Sequence, residues 1–311
     1  MTDAPPQPQE GAKAYLGLDA GGSSTRWLLQ DAAGVELARG AAGPISAIQL
    51  RSGERGAALE RLAALLAEVA AVARPARVAA GVTGLEPGSP DAETLAAATA
   101  AALAVPRAAV TVLPDVHIAY LAAFAPGEGV LVYAGTGSIG FHLTARGEAV
   151  RAGGHGYLID DAGGGYWIGR EALRRVLRRG DELGAFPGGA LASGLAAALG
   201  GGDWDTIRRE VYGGGRARVA GLTRVVALAA ARGDADARAV LAAAGAELAR
   251  LARVVSGRIG LALPVALAGG VARCGEPLTA ALAAALPAGT RCEVSTREPV
   301  EAAALLARGR A

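Results

Sequence analysis

Two stretches of the chain share one pattern, in which an apolar run is broken by small residues and then resumes. Residues 130–144 (VLVYAGTGSIGFHLT) break at Gly135-Thr136-Gly137-Ser138, and residues 15–30 (YLGLDAGGSSTRWLLQ) break at Gly21-Gly22-Ser23-Ser24. Each pattern predicts two strands joined by a tight turn, because glycine adopts the positive φ angles that such turns need. Backbone N–H groups and hydroxyls in these turns suit a phosphate. The repeat therefore predicts two similar halves that face each other, with a phosphate held between the turns.

The first part of the chain predicts a mixed sheet with helices on its faces. After a hairpin at 14–30, apolar residues at helical spacing indicate a helix at 56–72, and Pro90 precedes a second helix at 91–103. The predicted order is strand, strand, strand, helix, strand, helix, strand, helix, which is typical of an α/β domain. The other strands are expected at 35–40, 77–82 and 108–113, a loop at 43–46, and the last helix at 118–124.

The second part of the chain begins with the hairpin at 130–144 and is richer in helix. A third strand is expected at 149–152, a long glycine-rich loop at 153–169, and a helix-rich stretch at 170–258 that includes a long helix at 237–255. The remaining predicted elements are a buried strand at 261–268, a turn at Gly269-Gly270, a helix at 277–286, a short strand at 293–295 and a terminal helix at 300–308.

Composition narrows the functional classes. The 311 residues suffice for two domains, and the net charge of +2 provides no basic field for nucleic acid. No apolar run reaches the ~18–20 residues that a membrane span needs. We interpret residues 1–13 as a disordered leader rather than a signal peptide, and Cys274 and Cys292 give no sign of a disulfide scaffold. We therefore expect a cytoplasmic protein that binds neither nucleic acid nor membranes.

Two amino acids are almost missing from the chain. It has no Asn and a single lysine, Lys13, alongside abundant Ala, Gly and Arg, which we attribute to GC-rich coding. A phosphate-binding loop of the GxxxxGK[S/T] type needs a lysine after its glycines, and Lys13 precedes the glycine-rich turns. That type of loop, a lysine nucleophile and a Schiff base are thus excluded.

Two isolated aspartates follow predicted strands. Asp19 precedes the first turn, where a carboxylate can hold a cation that phosphates share, although an aspartate also suits a hairpin turn by itself. Asp115 follows the strand at 108–113, a position at which α/β proteins expose side chains to a ligand. There it could accept a proton from a hydroxyl, or it could simply cap the helix at 118–124.

The glycine-rich loop contains further candidate ligands. Asp160 and Asp161 are suited to sugar hydroxyls or hydrated Mg²⁺, or they form a solvated acidic loop, and His155 is the histidine expected near a ligand. Thr83-Gly84 could offer a hydroxyl and an N–H, and Gly269-Gly270 could lie against a nucleotide, but both also fit plain turns. The histidines and cysteines lack the spacing of a zinc site.

Together these motifs resemble the sugar-kinase branch of the superfamily that includes hexokinase, heat-shock 70 chaperones and actin, and within it the N-acetylglucosamine kinase and BadF/BadG/BcrA/BcrD ATPase family. The motifs are Gly17–Ser23 and Ala134–Ser138 for phosphate, Ala268–Val271 for adenosine, and the loop that starts at Gly153-Gly154-His155-Gly156. The resemblance implies two ribonuclease H-like (actin-like ATPase) α/β domains with a central cleft. One would comprise 14–117 plus the helix at 297–311, and the other 118–296.

The resemblance also implies residue roles. Asp115 would be the catalytic base, and Asp19 would hold Mg²⁺ through water. ATP would contact the two turns and the adenosine motif, that is Gly21, Gly22, Ser23, Ser24, Gly135, Thr136, Gly137, Ser138, Gly269 and Gly270. The sugar would contact Ser46, Thr83, Gly84, Asp115, Gly154, His155, Gly156 and Asp161.

The implied activity is ATP-dependent phosphorylation of a hexose or amino sugar. N-acetylglucosamine and glucosamine are the first candidate substrates, and the 6-hydroxyl is the expected acceptor. The resemblance further implies a homodimer. Ser46 stands where amino-sugar kinases carry Asn, Ala162 and Gly164 replace a Glu and a Ser, and His155 replaces an aromatic residue. The alternatives are an ATPase that activates a radical dehydratase, disfavoured by the separated cysteines, and a non-catalytic sugar sensor, disfavoured because the polar leader has no room for a helix-turn-helix.

Overall fold

The computed structural model describes residues 13–22 and 24–309, and forms two compact units. Unit 1 contains the described residues up to Ala122 together with those from Arg297 onward, and unit 2 is Ala123–Thr296. Most of the predicted leader (1–12) and Ser23 of the first turn lie outside the described residues. Within the described ranges, no helix is both long and apolar enough to cross a bilayer.

Unit 1 is built on a five-stranded mixed sheet with the order β3-β2-β1-β4-β5. Strand β1 pairs antiparallel with β2 and parallel with β4, and β4 pairs parallel with β5. The strands are β1 (Ala14–Ala20), β2 (Thr25–Asp31), β3 (Glu36–Ala42), β4 (Pro75–Val82) and β5 (Val110–Pro114). The helices are α1 (Ala47–Leu50), α2 (Arg55–Val72), α3 (Pro90–Leu103) and α4 (Asp115–Ala123), and later in the chain α11 (Pro299–Ala307).

The apolar residues whose spacing predicts α2 form the face that this helix buries. Leu62, Leu65, Leu66 and Val69 are buried in the core of unit 1, because residues three and four positions apart share one side of a helix. Helix α11 packs on the other side of β1, where an added Cβ on Gly17 would collide with Ala304 N. The last helix of the chain is therefore part of the first sheet's core.

Unit 2 repeats the plan with the strand order β10-β9-β6-β7-β8. Strand β6 pairs antiparallel with β7 and parallel with β9. The strands are β6 (Val130–Ala134), β7 (Ser138–Leu143), β8 (Ala149–Gly153), β9 (Val265–Ala268) and β10 (Cys292–Val294). The helices are α5 (Gly165–Leu183), α6 (Ala190–Leu199), α7 (Trp204–Gly221), α8 (Thr223–Ala231), α9 (Ala235–Ile259) and α10 (Glu276–Ala284).

Three predicted boundaries differ from the structure, and one short helix was not predicted. The glycine-rich loop ends early, because α5 begins at Gly165 rather than near 170, with Gly164 in extended backbone before it. Helix α4 begins at Asp115 rather than at 118. The loop predicted at 43–46 is present, and the short helix α1 that follows it was not predicted. Strand β9 begins at Val265 rather than at 261, because Pro264 has no N–H to donate to a sheet.

Candidate functional site

Asp19 lies near the carboxyl end of β1, in the middle of the first sheet. It pairs with Arg26 on β2 and with Gly81 on β4. Burial and, to a lesser extent, the nearby Asp115 carboxylate raise the pKa of Asp19 to about 6, although Arg26 opposes the increase. The site therefore holds a negative charge that its surroundings do not fully compensate, and a cation would offset that charge.

Asp115 begins α4 directly after β5. One carboxylate oxygen (Oδ2) accepts a hydrogen bond from Thr83 Oγ1 at 2.5 Å, and the other (Oδ1) accepts from Val116 N at 2.8 Å. Burial raises the pKa of Asp115, and these two hydrogen bonds oppose the increase. Position 115 still suits a helix cap, but capping does not require the bond from Thr83.

The neighbouring strands explain why Thr83 and Asp115 meet. Strands β4 and β5 are parallel, with Val82 beside Pro114 at their carboxyl ends. The residues that follow both strands therefore emerge at the same edge of the sheet, as ligand-binding residues do in α/β proteins. Gly81 permits the approach of α4, because an added Cβ would lie 2.8 Å from Ile118 Cγ1.

Ser46 and Gly84 join the same region through α1. Ala47 N donates to Thr83 O at 3.0 Å, and an added Cβ on Gly84 would lie 2.9 Å from Ile48 Cγ1. Ser46 is buried, and its Oγ caps α1 by accepting from Gln49 N at 3.3 Å. The structure thus brings Ser46, Thr83, Gly84 and Asp115 into one continuous set of contacts, with the Ser46 hydroxyl already engaged in a cap.

The first turn joins β1 to β2 immediately after Asp19. Ala20 and Thr25 form the last strand pair, and Gly21 N donates to Ser24 O at 2.9 Å across the turn. Gly21 is packed tightly, since an added Cβ would lie 2.9 Å from Ser24 O. The described residues of the first turn therefore lie at the same end of the sheet as Asp19.

The second turn, residues 135–137, joins β6 to β7 and is held by α5. Gly165 N donates to Gly135 O at 2.8 Å, and Tyr166 N donates to Thr136 O at 2.9 Å. In a trans peptide the C=O and the following N–H point in opposite directions. The N–H groups of Thr136 and Gly137 therefore face away from α5, in the orientation that an anion site needs.

The glycine-rich loop is bonded to the second turn at several points. Gly154 N donates to Ser138 O at 3.0 Å, and Ser138 Oγ donates to Ala162 O at 2.8 Å. Asp161 has a left-handed backbone (φ 54) and its Oδ1 accepts from Gly156 N at 3.2 Å. Burial raises the pKa of Asp161, Asp160 adds to this effect, and the Gly156 N–H opposes it.

Asp161 contacts the turn as well as the loop. A Cβ added at Gly137 would collide with Asp161 Oδ2, so glycine is required where the carboxylate meets the turn. Gly154, His155 and Gly156 are exposed on the loop, and the charge of His155 lowers the pKa of Asp161. The predicted sugar residues of unit 2 therefore form one group, and Asp161 links it to the second turn.

The predicted adenosine motif lies next to the second turn. Strands β6 and β9 are parallel, with Tyr133 beside Ala268 at their ends. Gly269 has φ 92, and an added Cβ would lie 2.8 Å from the backbone carbon of Ala134. Gly270 begins a short 3₁₀ helix, Gly270–Cys274. The structure thus brings the second phosphate motif and the adenosine motif together.

The described ranges contain no metal site with several protein ligands. Among the described residues, no group of three or more His, Cys, Asp or Glu side chains could hold a metal ion. Mg²⁺ bound with a nucleotide needs only one or two carboxylates, because phosphates and waters complete its coordination. Asp19 fits that requirement. Cys274 is buried, and burial raises the pKa of its thiol to about 11, so it is poorly suited to ligate a metal as a thiolate.

Two contacts near the second turn could not be predicted from the sequence pattern. Thr223, the first residue of α8, donates from Oγ1 to Gly165 O at 2.9 Å, across 58 positions of the chain. An added Cβ on Gly164 would lie 2.6 Å from the carbonyl carbon of Gly137. The glycine run that predicts a loop is instead the place where helix α5 approaches the turn.

Known proteins share both the sequence and the fold. An N-acetylmuramic acid/N-acetylglucosamine kinase of Clostridium acetobutylicum is 32% identical over 141 residues, which are 45% of this chain and 45% of that protein. An N-acetyl-D-glucosamine kinase of Dictyostelium discoideum is 43% identical over 56 residues, 18% of each protein. The matched stretches therefore cover less than half the length of these two relatives.

A solved structure covers almost the whole chain. A proposed N-acetylglucosamine kinase from Chromobacterium violaceum has a TM-score of 0.72 and 27% identity, over 95% of this chain and 99% of that one. This similarity and the two five-stranded sheets confirm the predicted α/β fold of two actin-like ATPase domains. A family profile matches residues 16–306, and with it the predicted resemblance is confirmed: the chain belongs to the BadF/BadG/BcrA/BcrD ATPase family.

Proposed function

We propose that the protein is an ATP-dependent kinase that phosphorylates a hexose or amino sugar, with N-acetylglucosamine or glucosamine as the first candidates and the 6-hydroxyl as acceptor. The observation that carries this proposal is the Asp115 carboxylate, buried at the ends of two parallel strands and bonded to Thr83 Oγ1 at 2.5 Å. Relatives named as N-acetylglucosamine kinases support the substrate class.

Asp115 is proposed as the general base. It accepts the proton of the sugar hydroxyl while that oxygen attacks, and its raised pKa brings its basicity nearer to the working pH. Thr83 Oγ1 and Val116 N each donate to one carboxylate oxygen of Asp115, so the carboxylate has a fixed orientation. Such a base contributes roughly 10²–10⁴ in rate.

ATP supplies the phosphoryl group, and Mg²⁺ neutralises the charge that develops on it during transfer. Membership of an ATPase family supports ATP as the nucleotide. Asp19 would hold Mg²⁺ through water, because a cation offsets the burial and repulsion that raise its pKa. The N–H groups of Thr136 and Gly137 would contact the phosphates, as would the first turn, and Gly269-Gly270 would contact the adenosine.

Sugar binding is proposed to involve two groups of residues. In unit 1 these are Ser46, Thr83 and Gly84, which are in contact with one another or with α1. In unit 2 they are Gly154, His155, Gly156 and Asp161. An enzyme of this kind is expected in the cytoplasm, and the family resemblance leads us to propose a homodimer, which light scattering would test.

A coupled assay of ADP release tests the proposal. Purified protein with Mg²⁺ and ATP is offered glucosamine, N-acetylglucosamine, N-acetylmuramic acid, glucose and N-acetylmannosamine in turn. We expect ADP release to depend on a sugar and to produce a sugar phosphate, with an Asp115→Asn variant as the control. ADP release without any sugar would instead favour the ATPase-activator alternative, and no ADP release with any sugar would favour the sensor.

A further inference from the structure

We infer that Thr223 is a positioning residue for nucleotide binding, because its hydroxyl fixes the second turn through the first residue of α5. The inference rests on the proposed role of that turn in binding phosphate. Thr223 is buried at the start of α8 and donates from Oγ1 to Gly165 O at 2.9 Å. Gly165 in turn donates from its N–H to Gly135 O at 2.8 Å. Three separate segments thus meet at one glycine.

The contacts at Gly165 leave little room for a side chain at that position. An added Cβ would lie 3.0 Å from Gly135 O and 3.3 Å from Thr223 Oγ1. Four residues later, an added Cβ on Gly169 would collide with Val219 O, so α5 also approaches the end of α7 closely at that point. The turn, α5 and Thr223 therefore pack as one unit, and a displacement of Thr223 or Gly165 shifts the turn.

The orientation of the turn decides whether it can bind an anion. The Gly165 and Tyr166 N–H groups bond the two carbonyls of the turn, and this directs the N–H groups of Thr136 and Gly137 to the opposite side. Binding groups must be held in place by their surroundings, since a small misplacement lowers their contribution strongly. Thr223 supplies this support through its hydrogen bond to Gly165 O.

Substitution of Thr223 tests the inference. Thr223→Val keeps the shape of the side chain but removes the donor, whereas Thr223→Ser keeps the donor. We expect Thr223→Val to weaken binding of the β,γ-imido analogue of ATP, measured by calorimetry without sugar, about tenfold, and Thr223→Ser to bind it like the wild type. The dissociation constant of the sugar should not change. Thr99→Val, at a buried threonine of α3, controls for a general loss of stability.

A second substitution keeps the test valid if Thr223→Val does not fold. Gly165→Ala keeps the Thr223 hydroxyl, but its Cβ would lie 3.0 Å from Gly135 O and press on the second turn. We expect weaker binding of the ATP analogue by a variant whose circular dichroism spectrum matches that of the wild type. Gly180→Ala, in the same helix, places its nearest contact at an ordinary 3.4 Å and should leave nucleotide binding unchanged.

The outcomes are distinguishable. If Thr223→Val and Gly165→Ala bind the ATP analogue as the wild type does, Thr223 has a structural role only and the inference is overturned while the proposed function stands. If the wild type itself does not bind the analogue, the proposed role of the second turn fails. Weak binding in Thr223→Val and Gly165→Ala, with rescue in Thr223→Ser, supports the inference.

Discussion

Replacing Asp115 by Asn would separate the role of a catalytic base from that of a helix cap. Asn has the same size, and its carbonyl oxygen can still accept from Val116 N. Its amide group can donate to Thr83 Oγ1, which then accepts instead of donating. What Asn cannot do is take a proton from the sugar hydroxyl. The substitution therefore preserves the local structure and removes only the chemistry.

The structure sets the expected magnitudes. Loss of a general base should lower kcat by at least about a hundredfold, which corresponds to about 2.7 kcal/mol of transition-state stabilisation. The free energy of unfolding should not fall by more than about 1 kcal/mol, because both hydrogen bonds survive, and removal of the buried charge acts in the stabilising direction. We therefore expect a large loss of kcat without a matching loss of stability.

Three measurements check this prediction: kcat and KM with the preferred sugar, the dissociation constant of that sugar, and urea unfolding. The wild-type rate should fall as the pH drops through the raised pKa of Asp115, since the base becomes protonated. Asp203→Asn is the matched control, because Asp203 caps α7 by accepting from Thr206 N at 2.9 Å and Asn caps equally well. An Asp115→Asn variant that keeps more than a tenth of wild-type kcat would refute the base assignment.

Three further substitutions address other parts of the molecule. Burial and Asp115 raise the pKa of Asp19 from 3.8 to about 6, so its ionised form destabilises the fold above that pH. Asp19→Asn should therefore raise the free energy of unfolding at pH 8 by on the order of 2–3 kcal/mol, should lose this gain near pH 4 in urea titrations, and should increase the Mg²⁺ concentration needed for half-maximal rate. Ser46→Asn should change the ratio of kcat/KM between N-acetylglucosamine and glucose in the ADP assay, and unchanged ratios would remove Ser46 from the sugar site. Gly17→Ala should lower the melting temperature measured by circular dichroism, because its Cβ would collide with Ala304 N, whereas Gly53→Ala meets nothing within 4 Å and should not.

Local periodicity was sufficient to predict most of the helices and strands. The helix predicted at 56–72 is α2 (Arg55–Val72), and the strand pairs around both turns form as expected. These elements are predictable because their own residues determine them: apolar spacing selects the buried face, and small residues select the turn. The same local information fails at Gly165, since glycine disfavours helix and the helix begins there through contacts with Gly135 and Thr223.

The sequence predicted which residues form the candidate site but not the contacts between them. Thr83 and Asp115 follow adjacent strands, but the direct bond between them depends on the parallel pairing of β4 and β5, which no local pattern fixes. Asp161 was expected to contact the sugar, and the pattern gave no indication that its carboxylate also lies against Gly137. Contacts between distant segments are decided by packing, and a single sequence does not reveal them.

The placement of α11 affects how the protein is made. Unit 1 is interrupted by the whole of unit 2, and α11 supplies Val300 and Ala304 to a cluster with Leu28 of β2. During synthesis, the strands of the first sheet leave the ribosome long before α11, so one face of this sheet stays uncovered in the meantime. Unit 2, in contrast, is continuous in sequence. The nascent chain thus exposes an apolar face of the first sheet until α11 has been synthesised, and the unit that contains Asp19 and Asp115 can be completed only then.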